Sequence, residues 1–269
     1  PYNVDWTQVR IRVDGSASTL TPSQANTQGY VSNVINIWDG TTYVSFNDVA
    51  PFTVNPNLQY FKSFWVNVLP GAYGHTIELL IPAQQSTYSM RSPAESEYLT
   101  RGLPWYLSWL DWISAPAQAA ESQGWHIRLK VHNRVMGWQD KGNLIGQWAD
   151  AQPGFDSHDV TKMKPFASPY LTLMIPHPEW GTNAGNYASD FRPLSTLPAE
   201  WPFELQSSPV GTKAFIQWEG DASKLKRMRL VDLQTGKTIN PTDSAWAKKG
   251  YPVTLKSSVQ RYIWRYLGE

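Results

Sequence analysis

The chain has 269 residues, a net charge of +1, 41% hydrophobic residues and no cysteine. This length allows one to three domains with a substantial core, and the hydrophobic share excludes a disordered or collagen-like chain. The scattered charges argue against a nucleic-acid surface. The missing cysteines exclude disulfides, iron–sulfur clusters and cysteine nucleophiles. No apolar run is long enough to cross a bilayer.

Residues 1–98 are predicted to form a small antiparallel β module. Alternating apolar and polar residues predict strands at 9–13, 34–38, 42–46, 61–69 and 76–81. Asp39-Gly40 stands between the second and third of these strands and predicts a tight hairpin turn. Residues 16–30 are rich in Ser, Thr, Gln and Asn, so we expect a loop there.

The rest of the chain is predicted to hold a central β-sandwich module over 99–200 and an immunoglobulin-like β module over 201–269. Residues 83–104 indicate a connector, and the apolar spacing within 105–113 favours a short helix. Alternation and turn residues predict strands at 125–132, 144–148, 203–207, 214–218, 228–233, 251–256 and 262–266. A single helical turn is predicted within 219–227. The predicted fold class is therefore all-β, with antiparallel β-sandwich modules and at most one or two short helices.

The aromatic content is high, with 14 Trp, 13 Tyr and 9 Phe. One interpretation is β-rich structure, because aromatic side chains favour pleated, half-buried surfaces. The other is stacking on the sugar rings of a polysaccharide, since exposed aromatic rings make good contact surfaces. The candidate carbohydrate-binding residues are Trp105, Trp109, Trp112, Trp138, Trp148 and Trp180.

A polar turn is predicted around Asp156, His158 and Asp159, and it is the candidate metal site of the chain. Carboxylate oxygens suit calcium, whereas His158 together with His177 would suit zinc. The alternative is purely structural, because Asp side chains in turns often accept hydrogen bonds from nearby backbone amides. A pairing of Asp190 with the neighbouring arginine, as a staple between layers, belongs to the same structural interpretation.

No catalytic residue is predicted. The sequence contains no Gly-x-Ser-x-Gly elbow, no phosphate-binding loop and no His-Glu-x-x-His pair. A glycosidase needs two carboxylates roughly 5–9 Å apart, and sequence alone does not pair the candidates. Those candidates are Glu78, Asp111, Glu179, Asp190 and Glu219.

Several segments resemble modules from large secreted or surface-displayed bacterial proteins. They read GFDSHDV at 154–160, PYLTLMIPHPEW at 169–180, NYASDFRP at 186–193 and MRLVDLQTGK at 228–237. Residues 203–269 are similar to the closing β-sandwich of such proteins, including FlgD-like immunoglobulin-like modules. The resemblance implies a Tyr-led strand that ends in His-Pro-x-Trp, and it implies export, surface display or assembly. It carries over no catalytic residue.

The predicted function is a non-catalytic structural or assembly module of a cell-surface layer, fibre or large secreted complex. Its expected location is extracellular or at the cell surface, and its expected partners are other surface or secreted subunits. The start at Pro1 indicates a processed or excised product. A carbohydrate-binding module that contacts polysaccharide is the first alternative, and a secreted hydrolase is the second. No cofactor is expected apart from the calcium considered above.

Overall fold

The computed structural model describes residues 3–58, 63–82 and 123–268. This part of the chain is mostly β-structure with three short helices, which confirms the predicted all-β class. The predicted connector over 83–104 lies outside the described residues, and so does the predicted helix over 105–113. Within the described ranges, no helix combines the length and the apolar character needed to cross a bilayer.

The N-terminal unit consists of short strands packed around two small cores. Its strands are β1 (Val4–Asp5), β2 (Arg10–Val13), β3 (Val31–Trp38), β4 (Tyr43–Phe46), β5 (Asn57–Leu58), β6 (Phe64–Val68) and β7 (Ile77–Leu80). They pair as a three-stranded sheet β4-β3-β6 and as two ribbons, β1-β5 and β2-β7. The predicted hairpin is present, and Asp39 Oδ1 closes it by accepting hydrogen bonds from the backbone amides of Thr41 and Thr42.

The predicted loop over 16–30 is wrong in its second half, because helix α1 (Pro22–Thr27) forms there. Thr21 and Gln24 make a capping box, in which each side chain accepts a hydrogen bond from the other residue's backbone amide. Pro22 occupies the first helical position, where a missing N–H costs nothing. The Thr-x-x-Gln spacing was the sequence signal for this helix.

Residues 124–266 form a sandwich of two sheets. Its strands are β8 (Gly124–Asn133), β9 (Trp138–Trp148), β10 (Tyr170–His177), β11 (Gly185–Tyr187), β12 (Ser189–Pro193), β13 (Ala199–Ser208), β14 (Lys213–Gly220), β15 (Met228–Asp232), β16 (Lys237–Ile239), β17 (Tyr251–Thr254) and β18 (Val259–Tyr266). One sheet has the order β11-β10-β13-β18-β15-β16, and the other has the order β12-β9-β8-β14-β17. Two short helices, α2 (Ala222–Lys226) and α3 (Ser244–Ala247), lie in connections between strands.

The sandwich core contains aromatic and aliphatic side chains from both sheets. Strand β8 alternates strictly, so every second side chain is buried between the sheets. Edge-to-face tryptophan pairs join the layers: Trp125 contacts Trp201 at 5.9 Å, and Trp218 contacts Trp264 at 5.3 Å between ring centroids. Many aromatic side chains of the described residues are therefore used for packing in the sandwich.

The predicted domain boundary between residues 200 and 201 is not a boundary in the structure. In the six-stranded sheet, β13 pairs with β10 on one side and with β18 on the other. In the five-stranded sheet, β14 pairs with β8. Strands from both predicted modules thus occur in each sheet and share one core, so residues 201–269 do not form a separate module. Periodicity in the sequence locates strands but does not show which strands pair.

The N-terminal unit is attached to the sandwich by buried polar contacts. Thr42 Oγ1 lies 3.0 Å from Thr172 Oγ1, and both side chains are fully buried. The Arg128 guanidinium, on the outer face of β8, donates hydrogen bonds to the carbonyls of Phe52 and Thr53. Burial lowers the pKa of Arg128 from its ordinary value. These contacts make residues 3–58 and 63–81 part of the same compact unit as the sandwich.

Candidate functional site

One end of the sandwich exposes three large apolar side chains, and we call it the apolar end. It consists of Val135 and Met136 in the turn between β8 and β9, and of Val210 in the turn between β13 and β14. Their exposures are 92%, 56% and 54%. Apolar side chains gathered on one surface are typical of contact sites for other proteins, whereas isolated ones need no explanation.

The strand register places these two turns at the same end. His132 pairs with Phe215, so β14 begins where β8 finishes. The 208–213 connection is fixed to the end of β17, because Gly211 N donates to Leu255 O at 2.7 Å. Met136 lies in the turn itself, where its backbone amide donates a hydrogen bond to Asn133 Oδ1 at 2.8 Å. Its side chain is exposed there.

A groove of about 240 Å³ adjoins the apolar end beside edge strand β17. Its walls include Val135, Phe215 and Val253, and its rim carries Arg134 and Lys213. The Arg134 guanidinium lies 4.7 Å from the centroid of the Phe215 ring, which holds this cation at the groove. The surface is thus apolar with a basic rim. It suits a protein segment that presents apolar side chains and a carboxylate.

A cluster of polar side chains surrounds His177 at the end of β10. The ring stacks on Trp180 with 3.6 Å between centroids. Its Nδ1 lies 2.7 Å from Glu179 Oε1, and its Nε2 lies 3.0 Å from Asp190 Oδ2. Arg192 Nη2 donates to the same Asp190 oxygen at 2.9 Å, which confirms the predicted Asp190–Arg192 pairing. Both ring nitrogens are occupied, so neither is free to bind a metal ion or to act on a substrate.

Asp159 is the residue of this region with the largest electrostatic perturbation. Burial, together with the nearby carboxylates of Asp190 and Asp156, raises its pKa to about 9. The carboxyl group accepts backbone hydrogen bonds from Asp156 N at 2.9 Å and Phe191 N at 3.2 Å. These contacts explain its position: Asp159 holds the 156–159 turn against strand β12, and we expect it to carry a proton at neutral pH.

The predicted metal site at Asp156, His158 and Asp159 is not supported. Asp156 accepts hydrogen bonds from the backbone amides of Gln152 and His158, at 2.6 and 2.7 Å. His158 Nε2 lies 2.9 Å from Asp150 Oδ1. In the part of the chain that the structure describes, no group of three or more His, Asp or Glu side chains is arranged to hold a metal ion. The structural alternative, in which these carboxylates cap backbone amides, fits the observed contacts.

The predicted sugar-binding tryptophans divide into two sets. Trp105, Trp109 and Trp112 lie outside the described residues. Trp138 is buried in the sandwich core, and Trp180 stacks on His177 and packs against the same core. Trp148 is half-buried and meets Phe191 edge-to-face at 5.9 Å. The three described rings therefore pack against protein and do not form an exposed row.

The described carboxylates considered for hydrolysis all take part in ion pairs, and two of them share one partner. Glu78 pairs with Arg12 on the N-terminal ribbon at 3.3 Å, and Glu219 contacts Lys130 on the outer face of the five-stranded sheet. Glu179 and Asp190 both contact His177, as described above, while Asp111 lies outside the described residues. Each described carboxylate already has a basic partner.

No family model, curated protein or solved structure matches this chain. The resemblance to FlgD-like modules therefore stays a prediction. In the β15–β16 hairpin, Asp232 Oδ1 accepts hydrogen bonds from Gln234 N and Thr235 N.

The apolar end was missed in the sequence because its members lie in two different turns. Val135-Met136 between two alternating strands was the available signal, since turns seldom carry two large apolar residues in succession. Their position at the same end of the sandwich as Val210 follows only from the pairing of β8 with β14, which residue patterns did not show.

Proposed function

We propose that this chain is a non-catalytic structural module of a cell-surface layer, fibre or large secreted complex. Its partners are neighbouring protein subunits, and its place is outside the cell or at the cell surface. The observation that carries the proposal is the apolar end, where Val135, Met136 and Val210 are exposed at the same end of the sandwich. A neighbouring subunit that covers these side chains would bury apolar area that now contacts water.

The build of the molecule supports this proposal in a second way. The N-terminal unit is fixed to the sandwich by the buried Thr42–Thr172 contact and by the Arg128 hydrogen bonds. These contacts join the two β units into one compact unit, which is what a structural module requires. Among the described strands, β16 and β17 also stand at sheet edges, to which a neighbour could add a strand.

The test compares a variant of the apolar end with a matched control. Val135→Asp combined with Val210→Asp places charges on the apolar end. The control, Leu267→Asp, changes a side chain of similar exposure, 53%, which directly follows the last residue of β18 at the other end of the sandwich. Size-exclusion chromatography with light scattering would follow association over a range of protein concentrations. We expect the wild type and Leu267→Asp to associate and the double variant to remain monomeric.

A monomeric wild type at every concentration, with no larger complex in its native preparation, would contradict the proposal. Equal loss of association in the control variant would also contradict the role of the apolar end. Thermal unfolding checks that each variant is folded, and exposed positions are expected to change the stability by no more than about 0.5 kcal/mol.

A further inference from the structure

A lysine is buried inside the sandwich next to an asparagine side chain and an aspartate side chain. The side chains of Lys162 and Asp140 are 1% and 2% exposed, and Asn143 is fully buried. Charged groups are rarely buried to this extent unless they are paired, because removal from water is costly. These three side chains, which we call the amine–amide centre, belong to none of the sites described above.

An irregularity in β9 brings two members of the centre to one side of the sheet. Residues 140 and 143 are three apart, so a regular strand would point their side chains to opposite faces. The register with β8 shifts between them: Asn143 pairs with Leu129, whereas Asp140 pairs with Val131. This bulge places one extra residue in β9, and both side chains therefore point into the protein.

Backbone hydrogen bonds fix the third member from the other side. Lys162 N donates to Asn186 O at 2.7 Å, and Ala188 N donates to Val160 O at 2.7 Å. The 160–162 segment thus runs beside β11 as a short extra strand. These hydrogen bonds hold the backbone of Lys162 in place while its side chain reaches β9. A reaction between side chains needs such a fixed arrangement.

The three side chains of the centre contact one another through hydrogen bonds. Lys162 Nζ lies 2.8 Å from Asn143 Oδ1, so the amine is beside the amide carbonyl. Asp140 Oδ2 lies 2.6 Å from Lys162 Nζ, and Asp140 Oδ1 accepts a hydrogen bond from Asn143 Nδ2 at 2.9 Å. One carboxyl group therefore contacts both the attacking nitrogen and the nitrogen that would leave.

Further contacts hold the carboxyl group in this position. Asp140 Oδ2 also accepts hydrogen bonds from Thr172 Oγ1 at 2.9 Å and from Leu173 N at 2.8 Å. Burial lowers the pKa of Lys162, although the charge of Asp140 opposes this shift. Proton transfer from the ammonium to Asp140 gives a neutral amine, which is the form that can act as a nucleophile.

We propose that Lys162 and Asn143 form an amide bond between their side chains, with Asp140 as the catalytic proton carrier. The Lys162 Nζ lone pair attacks Asn143 Cγ, and the carbonyl π electrons move to Oδ1. Asp140 gives its proton to Nδ2 and takes one from Nζ. The electrons on Oδ1 then restore the carbonyl as the Cγ–Nδ2 bond breaks, and ammonia leaves. The amine and the primary amide thus become one secondary amide and one ammonia, and no oxidant or cofactor is needed.

The bond would act as a staple in a chain that has no cysteine. It would join β9 to the 160–162 segment and close a loop over 144–161, which includes the capped turn at 156–159. A covalent link of this kind restricts the unfolded chain, as a disulfide does, but it does not depend on the redox state of the surroundings. This inference goes beyond the proposed function and is tested independently of it.

The test is the intact mass of the full chain, measured in denaturant by mass spectrometry. Formation of the bond lowers the mass by one ammonia, about 17 Da, relative to the sum of the residues. Trypsin cleaves after lysine only where the amine is free. The bonded protein will therefore not release the peptide that spans residues 142–162, because Lys162 is its C-terminal residue.

Three variants make the assignment specific. Lys162→Arg removes the amine, Asn143→Ala removes the amide, and Asp140→Asn removes the proton carrier, so each is expected to show its full residue mass. Lys164→Arg changes a nearby exposed lysine and is expected to keep the loss of ammonia.

A wild-type mass equal to the sum of the residues, with release of the 142–162 peptide, would overturn the proposal. Loss of one water, about 18 Da, would overturn the assignment to Asn143, because condensation with an aspartate carboxyl group releases water instead. Both measurements use denatured wild-type protein, so neither depends on whether a variant folds.

Discussion

Lys162 Nζ and Asp140 Oδ2 lie 2.6 Å apart inside the protein, where both side chains are almost completely shielded from water. The two residues come from different segments, β9 and the stretch beside β11, which the pair holds together. A buried ion pair adds little compared with apolar packing, but losing one member leaves the other buried without its partner. The first prediction follows from this asymmetry.

Lys162→Met is expected to lower the free energy of unfolding by about 3–5 kcal/mol, because the Asp140 carboxyl group then loses its cation. In protein that carries the proposed amide bond Lys162 is no longer a cation, and the substitution instead removes a cross-link, at a cost of about 2–4 kcal/mol. Lys164→Met is the control, since Lys164 is exposed and its loss should change stability by at most about 0.5 kcal/mol. Urea denaturation measures both. Equal effects of the two variants would show that the buried pair is not a source of stability.

Gly146→Ala is expected to destabilise the sandwich by more than about 3 kcal/mol, because overpacking costs most where backbone cannot give way. A Cβ at Gly146 would lie 2.1 Å from Trp125 O on the neighbouring strand. Gly154→Ala is the matched control, because a Cβ there meets no atom within 4 Å. Thermal unfolding compares the two. A Gly146→Ala protein as stable as the control would mean that β8 and β9 are not paired in the described register.

The stability of the protein is expected to contain a pH-dependent contribution from Asp159. Its pKa is about 9 in the folded protein and near 3.8 when unperturbed, so the folded state holds a proton that the unfolded chain has lost. The contribution is fully present below about pH 4 and is lost as the pH rises towards 9, by up to about 1.4 kcal/mol for each pH unit.

Asp159→Asn removes this titration, and the difference in unfolding free energy between wild type and variant isolates it. The comparison is needed because burial lowers the pKa of His126 and His132, which makes stability rise with pH through the histidine range. Urea denaturation at pH 5, 7 and 9 is expected to show the wild type losing stability relative to the variant at each step. A constant difference would contradict a raised pKa for Asp159.

Thr42→Val tests the attachment of the N-terminal unit. The hydroxyl of Thr42 contacts that of Thr172 inside the protein, so its removal is expected to cost about 1 kcal/mol. Thr238→Val, at an exposed position of β16, is the control and is expected to have little effect. Hydrogen exchange should show faster opening of β3 and β4 in Thr42→Val only. Unchanged exchange in these strands would indicate that the attachment depends on other contacts.

Local patterns were enough to predict most strands of this protein. The alternation in 125–132 predicted β8 almost to its ends, and Asp39-Gly40 predicted the hairpin of β3 and β4. Such features depend on neighbouring residues, so they can be read from sequence. The short strands β11 and β12 were missed because their side chains do not alternate between buried and exposed positions.

The organisation of the chain and its sites could not be predicted in the same way. The 200/201 boundary failed because strand pairing joins residues such as Leu129 and Trp218, which lie on opposite sides of that boundary and far apart in sequence. The amine–amide centre depends on a one-residue bulge between Asp140 and Asn143, and no sequence period indicates such a bulge. His177 was considered as a zinc ligand, whereas its ring is occupied by two carboxylates.

The most direct test of the proposed structural role is electron microscopy of the protein in its native preparation. We expect a filament, a layer or a stable complex in which the apolar end, with Val135 at its tip, contacts a neighbouring subunit. Isolated single particles, with the apolar end in solvent under all conditions, would contradict the account and leave the carbohydrate-binding alternative to be tested by a glycan screen.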